Sequence, residues 1–311
     1  MIDPVIHTSR LTRYFGDRPV VLDLDIVIPA GQVTALLGLN GAGKTTTIRI
    51  IMGLLRPTRG AAFVWDENTA TLSSETRRRI GYMVEGHFLY SWMTVEQCAS
   101  FQRAGYSHWD DRLFDQIVRH FSIRTSSKVG ELSRGQRAGV SLALVLAPDP
   151  GLLVLDDPAL GLDPVSRRAL NETLIEFASD GKRTVLLSTH LLDDVERVAD
   201  RVMVLTDGRL KVDTTMDDFA ARVTGLAVEI DVVDPQKVAA IPGLIEARRI
   251  GGRLQLTVAD ADQETHAAVG RLGGSSTEQI ETTFSDSVLS YLTRQRGESS
   301  FLNATRAGVE R

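Results

Sequence analysis

Residues 38–45 read Gly-Leu-Asn-Gly-Ala-Gly-Lys-Thr, with the apolar run Val33-Thr-Ala-Leu-Leu37 before them and a helix-like stretch over 45–55 behind. This is the spacing of a glycine-rich phosphate loop set between a strand and a helix. No other feature constrains the fold so tightly. A buried strand must deliver the loop and a helix must leave it. Gly38, Gly41 and Gly43 let backbone N–H groups close on an anion. Asn40, Ala42 and Thr46 belong to the same nucleotide-contacting stretch. Lys44 is placed to reach the β- and γ-phosphates, and Thr45 to hold Mg2+.

Around the loop, apolar runs alternate with helical segments. Residues 20–28 read as one half-exposed antiparallel strand, closed by Pro29-Ala-Gly31. The helix after the loop is expected to stop near Arg56-Pro57. Strands are expected over 61–65 and after Arg77, and 86–130 reads as mostly helical. Ser133 is a good N-cap for a helix running to Ala147. The run Leu152-Leu-Val-Leu155, a helix over 164–179 and strands over 184–188 and 202–205 complete the series. Short apolar strands alternating with helices predict a mainly parallel α/β sheet. The pattern changes near residue 220. Strand 225–233, helix 235–241, a hairpin over 245–258 turning at Gly251-Gly252, and helices over 265–272 and 284–294 predict a small α+β domain, with a split βαβ unit as one form. The domains expected are 1–220, 221–295 and a flexible tail over 296–311.

With 311 residues, 43% hydrophobic and 24% charged, the chain is ordinary globular material. Its formal charge of -5 gives no basic bias towards nucleic acid. One cysteine, Cys98, excludes a disulfide framework within the chain and fits a reducing compartment. The first residues lack the basic and apolar regions of a secretory signal. No apolar run approaches the roughly 20 residues that span a bilayer, so a membrane role is expected to come through a partner. His7, His87, His108, His120 and His266 lack ligand-like spacing, and Arg77-Arg78-Arg79 reads as a solvated face.

Four further motifs follow in order: Leu132-Ser-Arg-Gly-Gln136, the strand end Asp156-Asp157-Pro158, Gly161-Leu-Asp163 and Ser188-Thr-His190. Together with the phosphate loop, this order resembles the ATP-binding subunit of ABC transporters, over about residues 5–215. Met93-Thr-Val-Glu96 and Trp109-Asp110 are similar to the bacterial exporters whose membrane domains are separate chains. The resemblance implies a mainly parallel core with an antiparallel β subdomain and a helical subdomain over about 86–147. It implies ATP with Mg2+, the metal held by Thr45, Asp156 and Glu85. It implies that Asp157 acts on the attacking water and that His190 approaches the γ-phosphate. Phe15, or its rival Tyr14, would stack on adenine. Ser133, Gly135 and Gln136 would meet ATP held by an opposite subunit, in a homodimer or a heterodimer. Asp163 caps a helix before Pro164, and the resemblance adds a role across the interface. The partner implied is a transmembrane permease at the inner face of the cell membrane, not nucleic acid. The segment from Glu85 to Thr94 carries Phe88, Leu89, Tyr90 and Trp92. These residues serve either as the permease's docking site or as local core.

Three positions depart from the family pattern. Asp157 stands where glutamate is usual, which withdraws the carboxylate by roughly 1.5 Å, one carbon–carbon bond. A misplacement of about 1 Å can cost on the order of 10²-fold in rate, so slow hydrolysis is expected. Arg134 replaces a glycine and points either outward or towards the phosphates. Glu85 replaces glutamine, with an oxygen that still suits Mg2+. These departures also motivate a second reading, a poorly hydrolysing regulatory subunit. A DNA-repair ATPase with the same site plan is disfavoured, since the chain has no long coiled coil and no zinc module between the loop and Ser133.

Overall fold

The computed structural model describes residues 4–274 and 276–293. The tail expected over 296–311 lies outside the described residues. β1 (Pro4–Phe15) is long enough to carry several partners. It pairs antiparallel with β2 (Arg18–Leu24) and β3 (Val27–Pro29). The single strand expected over 20–28 is therefore broken in two. Thr8 is the cause: its hydroxyl donates to the Leu24 carbonyl at 2.6 Å and accepts from the Ile26 amide at 3.0 Å. The Asp25 carboxylate accepts from the Arg10 amide.

β4 (Val33–Leu37) is buried at every position and feeds α1 (Lys44–Ile51) through the glycine loop. The helix stops short of residue 55. Gly53 takes a φ of +67° and the Leu54 amide donates back to the Arg49 carbonyl, a left-handed C-terminal stop that makes Pro57 unnecessary. β5 (Arg59–Val64) returns to pair with β1 and leads into β6 (Glu67–Asn68).

α2 (Ser74–Arg78) precedes β7 (Ile80–Met83). The stretch expected to be mostly helical over 86–130 is two helices, α3 (Val95–Arg103) and α4 (Asp111–His120), with irregular backbone before and between them. α3 is fixed by a Thr94–Gln97 capping box and α4 by the Asp110 carboxylate. Then come α5 (Arg134–Leu146), β8 (Leu152–Asp156), α6 (Pro164–Ala178), β9 (Thr184–Thr189), α7 (Leu192–Val198), β10 (Arg201–Thr206) and β11 (Arg209–Thr215). β11 was not expected from the sequence. It pairs antiparallel at the edge of a six-stranded sheet, β11-β10-β4-β9-β8-β7, whose other pairings are parallel.

The central strands bury both faces, which is why they read as continuous apolar runs. Leu153, Leu155, Val185 and Leu187 pack with apolar residues of α5 and α6. Leu152, Val154 and Leu186 point the other way, onto Ile48, Ile51 and the antiparallel layer. Each such side chain contributes about 1.5–3 kcal/mol on burial. The sheet is thus clamped from two sides, and the loops at its strand ends start from fixed points. No helix of the described residues is long and apolar enough to cross a membrane.

A second compact unit begins at Asp217, within α8 (Met216–Arg222). Its strands are β12 (Val223–Glu229), β13 (Leu244–Ile250), β14 (Arg253–Ala259) and β15 (Thr277–Ile280), and its helices are α9 (Pro235–Ala239), α10 (Gln263–Gly270) and α11 (Phe284–Thr293). The sheet order is β13-β14-β12-β15, antiparallel throughout. The β14 strand lies between β12 and β13, which α9 connects, so the unit is a split βαβ arrangement. Its own core gathers Leu226, Val228, Leu254, Leu256 and Val258 with Val238 and Val269.

Candidate functional site

Four loops meet at the carboxyl ends of parallel strands. The glycine loop follows β4, Glu85 follows β7, Asp156 and Asp157 stand at the end of β8, and His190 follows β9. That edge is where open α/β sheets bind ligands. A cavity of about 260 Å³ opens there. Asn40, Gly41, Gly43, Lys44, Thr45 and Thr46 line one side, Glu85, Asp156 and Asp157 another, with Val20 at the rim. A wider open groove of about 440 Å³ lies among Arg10, Asp23 and Arg59 of the antiparallel layer and contains none of these groups.

Two of the loop glycines are there for lack of room. A Cβ on Gly38 would fall 2.6 Å from the Leu205 carbonyl oxygen, and one on Gly43, at φ +106°, 2.6 Å from that of Val20. Gly41, at φ +84°, faces open space. Lys44 is buried and folds back on its own loop, donating to the carbonyls of Gly38 at 2.7 Å and Leu39 at 3.3 Å. Burial lowers its pKa from the usual lysine value, and the carboxylates of Asp157, Asp156 and Glu85 oppose that shift.

The carboxylates form one bonded corner. Asp156 and Ser188 are register partners on β8 and β9. The Ser188 hydroxyl donates to Asp156 Oδ1 at 2.8 Å, and Thr45 Oγ1 donates to the same oxygen at 3.1 Å. Ser188 also accepts from the Asp157 amide, through its hydroxyl at 3.1 Å and its carbonyl at 3.0 Å. Asp157 is held at φ +46°, in the left-handed region. Its Oδ2 lies 2.8 Å from His190 Nδ1, while its buried Oδ1 has no hydrogen-bond partner among the described residues. Asp156, bonded to Thr45 Oγ1, and the Asp157 Oδ1 oxygen are hard-oxygen donors that suit Mg2+, and among the described residues no three His, Cys, Asp or Glu side chains are gathered into a metal-holding group. The glycine loop offers backbone donors to phosphate.

Ser133, Gly135 and Gln136 do not line this cavity. They form the start of α5, as a capping box. The Ser133 hydroxyl accepts from the Gln136 amide, Gln136 Oε1 accepts from the Ser133 amide, and Gln136 Nε2 donates to the Ser122 carbonyl. Gly135 is buried, and a Cβ there would fall 1.9 Å from Ser166 Oγ. That hydroxyl donates to Asp163 Oδ2, while Asp163 Oδ1 caps the Val165 and Ser166 amides of α6. Of the two directions left open for Arg134, the side chain lies on the next loop, where a Cβ on Gly161 would fall 1.9 Å from its guanidinium.

Phe15 stands at the end of β1, half exposed, outside the residues lining the cavity. The Arg13 guanidinium lies 4.7 Å from its ring centre. Tyr14 is half-buried. After Glu85, Leu89 and Met93 pack into the core, whereas Phe88, Tyr90 and Trp92 are 82%, 56% and 65% exposed. Tyr90 contacts both Trp92 and Phe101, which makes one aromatic surface. His87, an ordinary residue by spacing, is buried beside the Pro158 backbone. Its pKa is lowered to about 4, chiefly by desolvation, with Arg134 and Arg137 adding to the effect. Ser188 was missed as a functional residue. The signal was there: a small hydroxyl ends an apolar strand beside the strand that ends in Asp156.

The family described as ABC transporter matches residues 21–160. The bacitracin transport ATP-binding protein BcrA of Bacillus licheniformis is 30% identical over 220 residues, covering 70% of this chain and 72% of that protein. The Nod factor export ATP-binding protein I of Burkholderia lata is 36% identical over 209 residues, covering 66% and 68%. A solved ATP-binding subunit of an ABC transporter matches with a TM-score of 0.62 at 32% identity, over 70% of this chain and 92% of that one.

Proposed function

This chain belongs to the ABC transporter family of ATP-binding proteins, and from that premise we propose that it hydrolyses ATP to energise a membrane exporter. The observation that carries the reading is the convergence of Lys44, Thr45, Asp156, Asp157 and His190 at one strand edge. Lys44 leaves its two carbonyl partners and moves onto the phosphates as the loop N–H groups bind them. Thr45 and Asp156 would hold Mg2+, with Glu85 on the same cavity wall; the ion, when bound, would supply positive charge against the β- and γ-phosphates. Asp157 Oδ1, the oxygen without a partner among the described residues, orients the attacking water. His190 is fixed through Nδ1 by Asp157, which leaves its other ring nitrogen for the γ-phosphate. Asp157 is one methylene shorter than glutamate, so turnover is slow but real.

ATP closes two copies, or this chain and a sister chain, with Ser133 and Gly135 completing the partner's site and Gln136 bracing the tip. Phe15 stacks on adenine. The helical subdomain over 86–147 presents Phe88, Tyr90 and Trp92 to a separate permease at the cytoplasmic face of the membrane. The 221–295 domain is accessory. The functions named for the two relatives, bacitracin transport and Nod factor export, support an exporter. The test is ATP turnover of the purified chain at micromolar concentration beside Lys44→Ala. We expect slow hydrolysis above that control. Turnover equal to the control overturns the reading and leaves a nucleotide-binding regulatory subunit.

A further inference from the structure

Two helices leave the site at different points and are joined by one buried carboxylate. α6 starts from Asp163, in the loop packed on Gly135, and α7 starts just beyond His190. Asp194, in the first turn of α7, accepts from Asn171 Nδ2 at 2.9 Å, and its other oxygen lies 3.5 Å from Arg167 Nε. Arg167 and Asn171 are one turn apart on α6. The Asp194 side chain is only 10% exposed.

Apolar contacts are enough to dock these helices, since Leu170, Leu174 and Val198 share one cluster. A buried carboxylate is poor glue compared with more hydrocarbon, and its best-attested use is to specify one register. Here the register joins two working parts. Gly135 touches Ser166, Ser166 bonds to Asp163, and the Arg167 amide donates to the Asp163 carbonyl. Arg167 and Asn171 then hold Asp194, one turn beyond His190, and His190 meets Asp157. The series runs from the tip of α5 to the carboxylate corner of the same chain.

We propose that Asp194 is a positioning residue for ATP hydrolysis. It holds His190 in register with the Asp163 loop, so that engagement of the α5 tip by a partner's nucleotide is felt at this chain's own Asp157–His190 pair. The inference rests on the ATPase reading given above, because it needs a reaction for His190 to serve.

The experiment compares the full chain with Asp194→Ala, Asp194→Asn, His190→Ala and the Asp194→Ala/His190→Ala double variant. It reads kcat and KM for ATP, and the affinity for a fluorescent ATP analogue without turnover. We expect Asp194→Ala to lower kcat on the order of tenfold with the analogue's affinity unchanged, as for a small displacement of a reacting group. Asp194→Asn should recover most of the loss, because its amide oxygen can still accept from Asn171. The double variant should be no slower than His190→Ala alone, since residues acting as a unit are not additive. Unchanged kcat in Asp194→Ala, additive losses in the double variant, or weaker analogue binding in step with kcat each overturn the proposal. If Asp194→Ala does not fold, Arg167→Met carries the same test, and additivity with His190→Ala again overturns it. Wild-type turnover no higher than that of Lys44→Ala removes the ATPase reading and this role together. Wild-type turnover retained by Asp194→Ala removes this role alone.

Discussion

The carboxylate corner at the ends of β8 and β9 and the tip of α5 both offer polar groups to a phosphate, but they satisfy those groups differently. At the corner the groups are buried, and the bonding is incomplete. Lys44 is spent on its own loop's carbonyls, and Asp157 keeps one oxygen without a partner among the described residues. At the tip, Ser133 and Gln136 are exposed to partly exposed and close their own capping box. The corner therefore exchanges bonds when it takes a ligand, whereas the tip keeps its shape with or without one. The difference teaches where regulation can act. On the proposed function, a ligand would remodel the corner of each chain, and the partner's tip would act as a rigid die pressed against it from outside.

Breaking the corner should have the largest effect. Lys44→Ala should lower turnover by at least about 10²-fold and abolish nucleotide binding, as read by ATPase assay and analogue titration. Binding that survives intact would shift the weight from the lysine to the loop's backbone donors. Breaking the tip comes next. Gly135→Ala places a Cβ against Ser166 Oγ and should lower turnover on the order of 10²-fold. Analogue binding to the same chain should stay within about twofold, since the α5 tip is separate from the cavity that binds it. Parallel losses would show that tip and corner are one structure. Sharpening the corner should matter less. Asp157→Glu should raise turnover by up to about tenfold and Asp157→Asn should lower it by a similar factor. An Asn variant as fast as the wild type would strip Asp157 of its water-orienting role.

The smallest effect concerns stability. His87 has its pKa depressed to about 4 by burial, so the native state favours the neutral ring. The unfolded chain binds the proton from about pH 6.5 downward, hence stability falls as pH drops through the window from about 6.5 to about 4. Thermal melts of His87→Gln should show a flatter decline across that window. An identical slope would mean that the ring is relieved by local opening.

Much of this could be read from the residues because the chemistry lies at the ends of buried strands. Val33–Leu37, Leu152–Asp156 and Thr184–Thr189 are apolar enough to announce themselves, and the loop, Asp156 and His190 follow directly from them. What escaped depends on partners distant in sequence. The break between β2 and β3 is made by Thr8, and the early end of α1 by Gly53, which Pro57 overshadowed. β11 was missed because an edge strand alternates weakly and carries Arg209, Lys211 and Asp213. Ser188 needed the register of β8 against β9, and Arg134 needed the approach of Gly161. Gly135 reads as a phosphate-approach glycine, yet the structure also makes it the seat of Ser166.

The aromatic surface of Phe88, Tyr90, Trp92 and Phe101 has a colloidal consequence. Four large rings left in water make a free subunit sticky. Produced alone, the chain should self-associate as its concentration rises, and mild detergent should disperse it. The same handling would leave the strand Val33–Leu37 untouched, because every one of its residues is buried within the sheet.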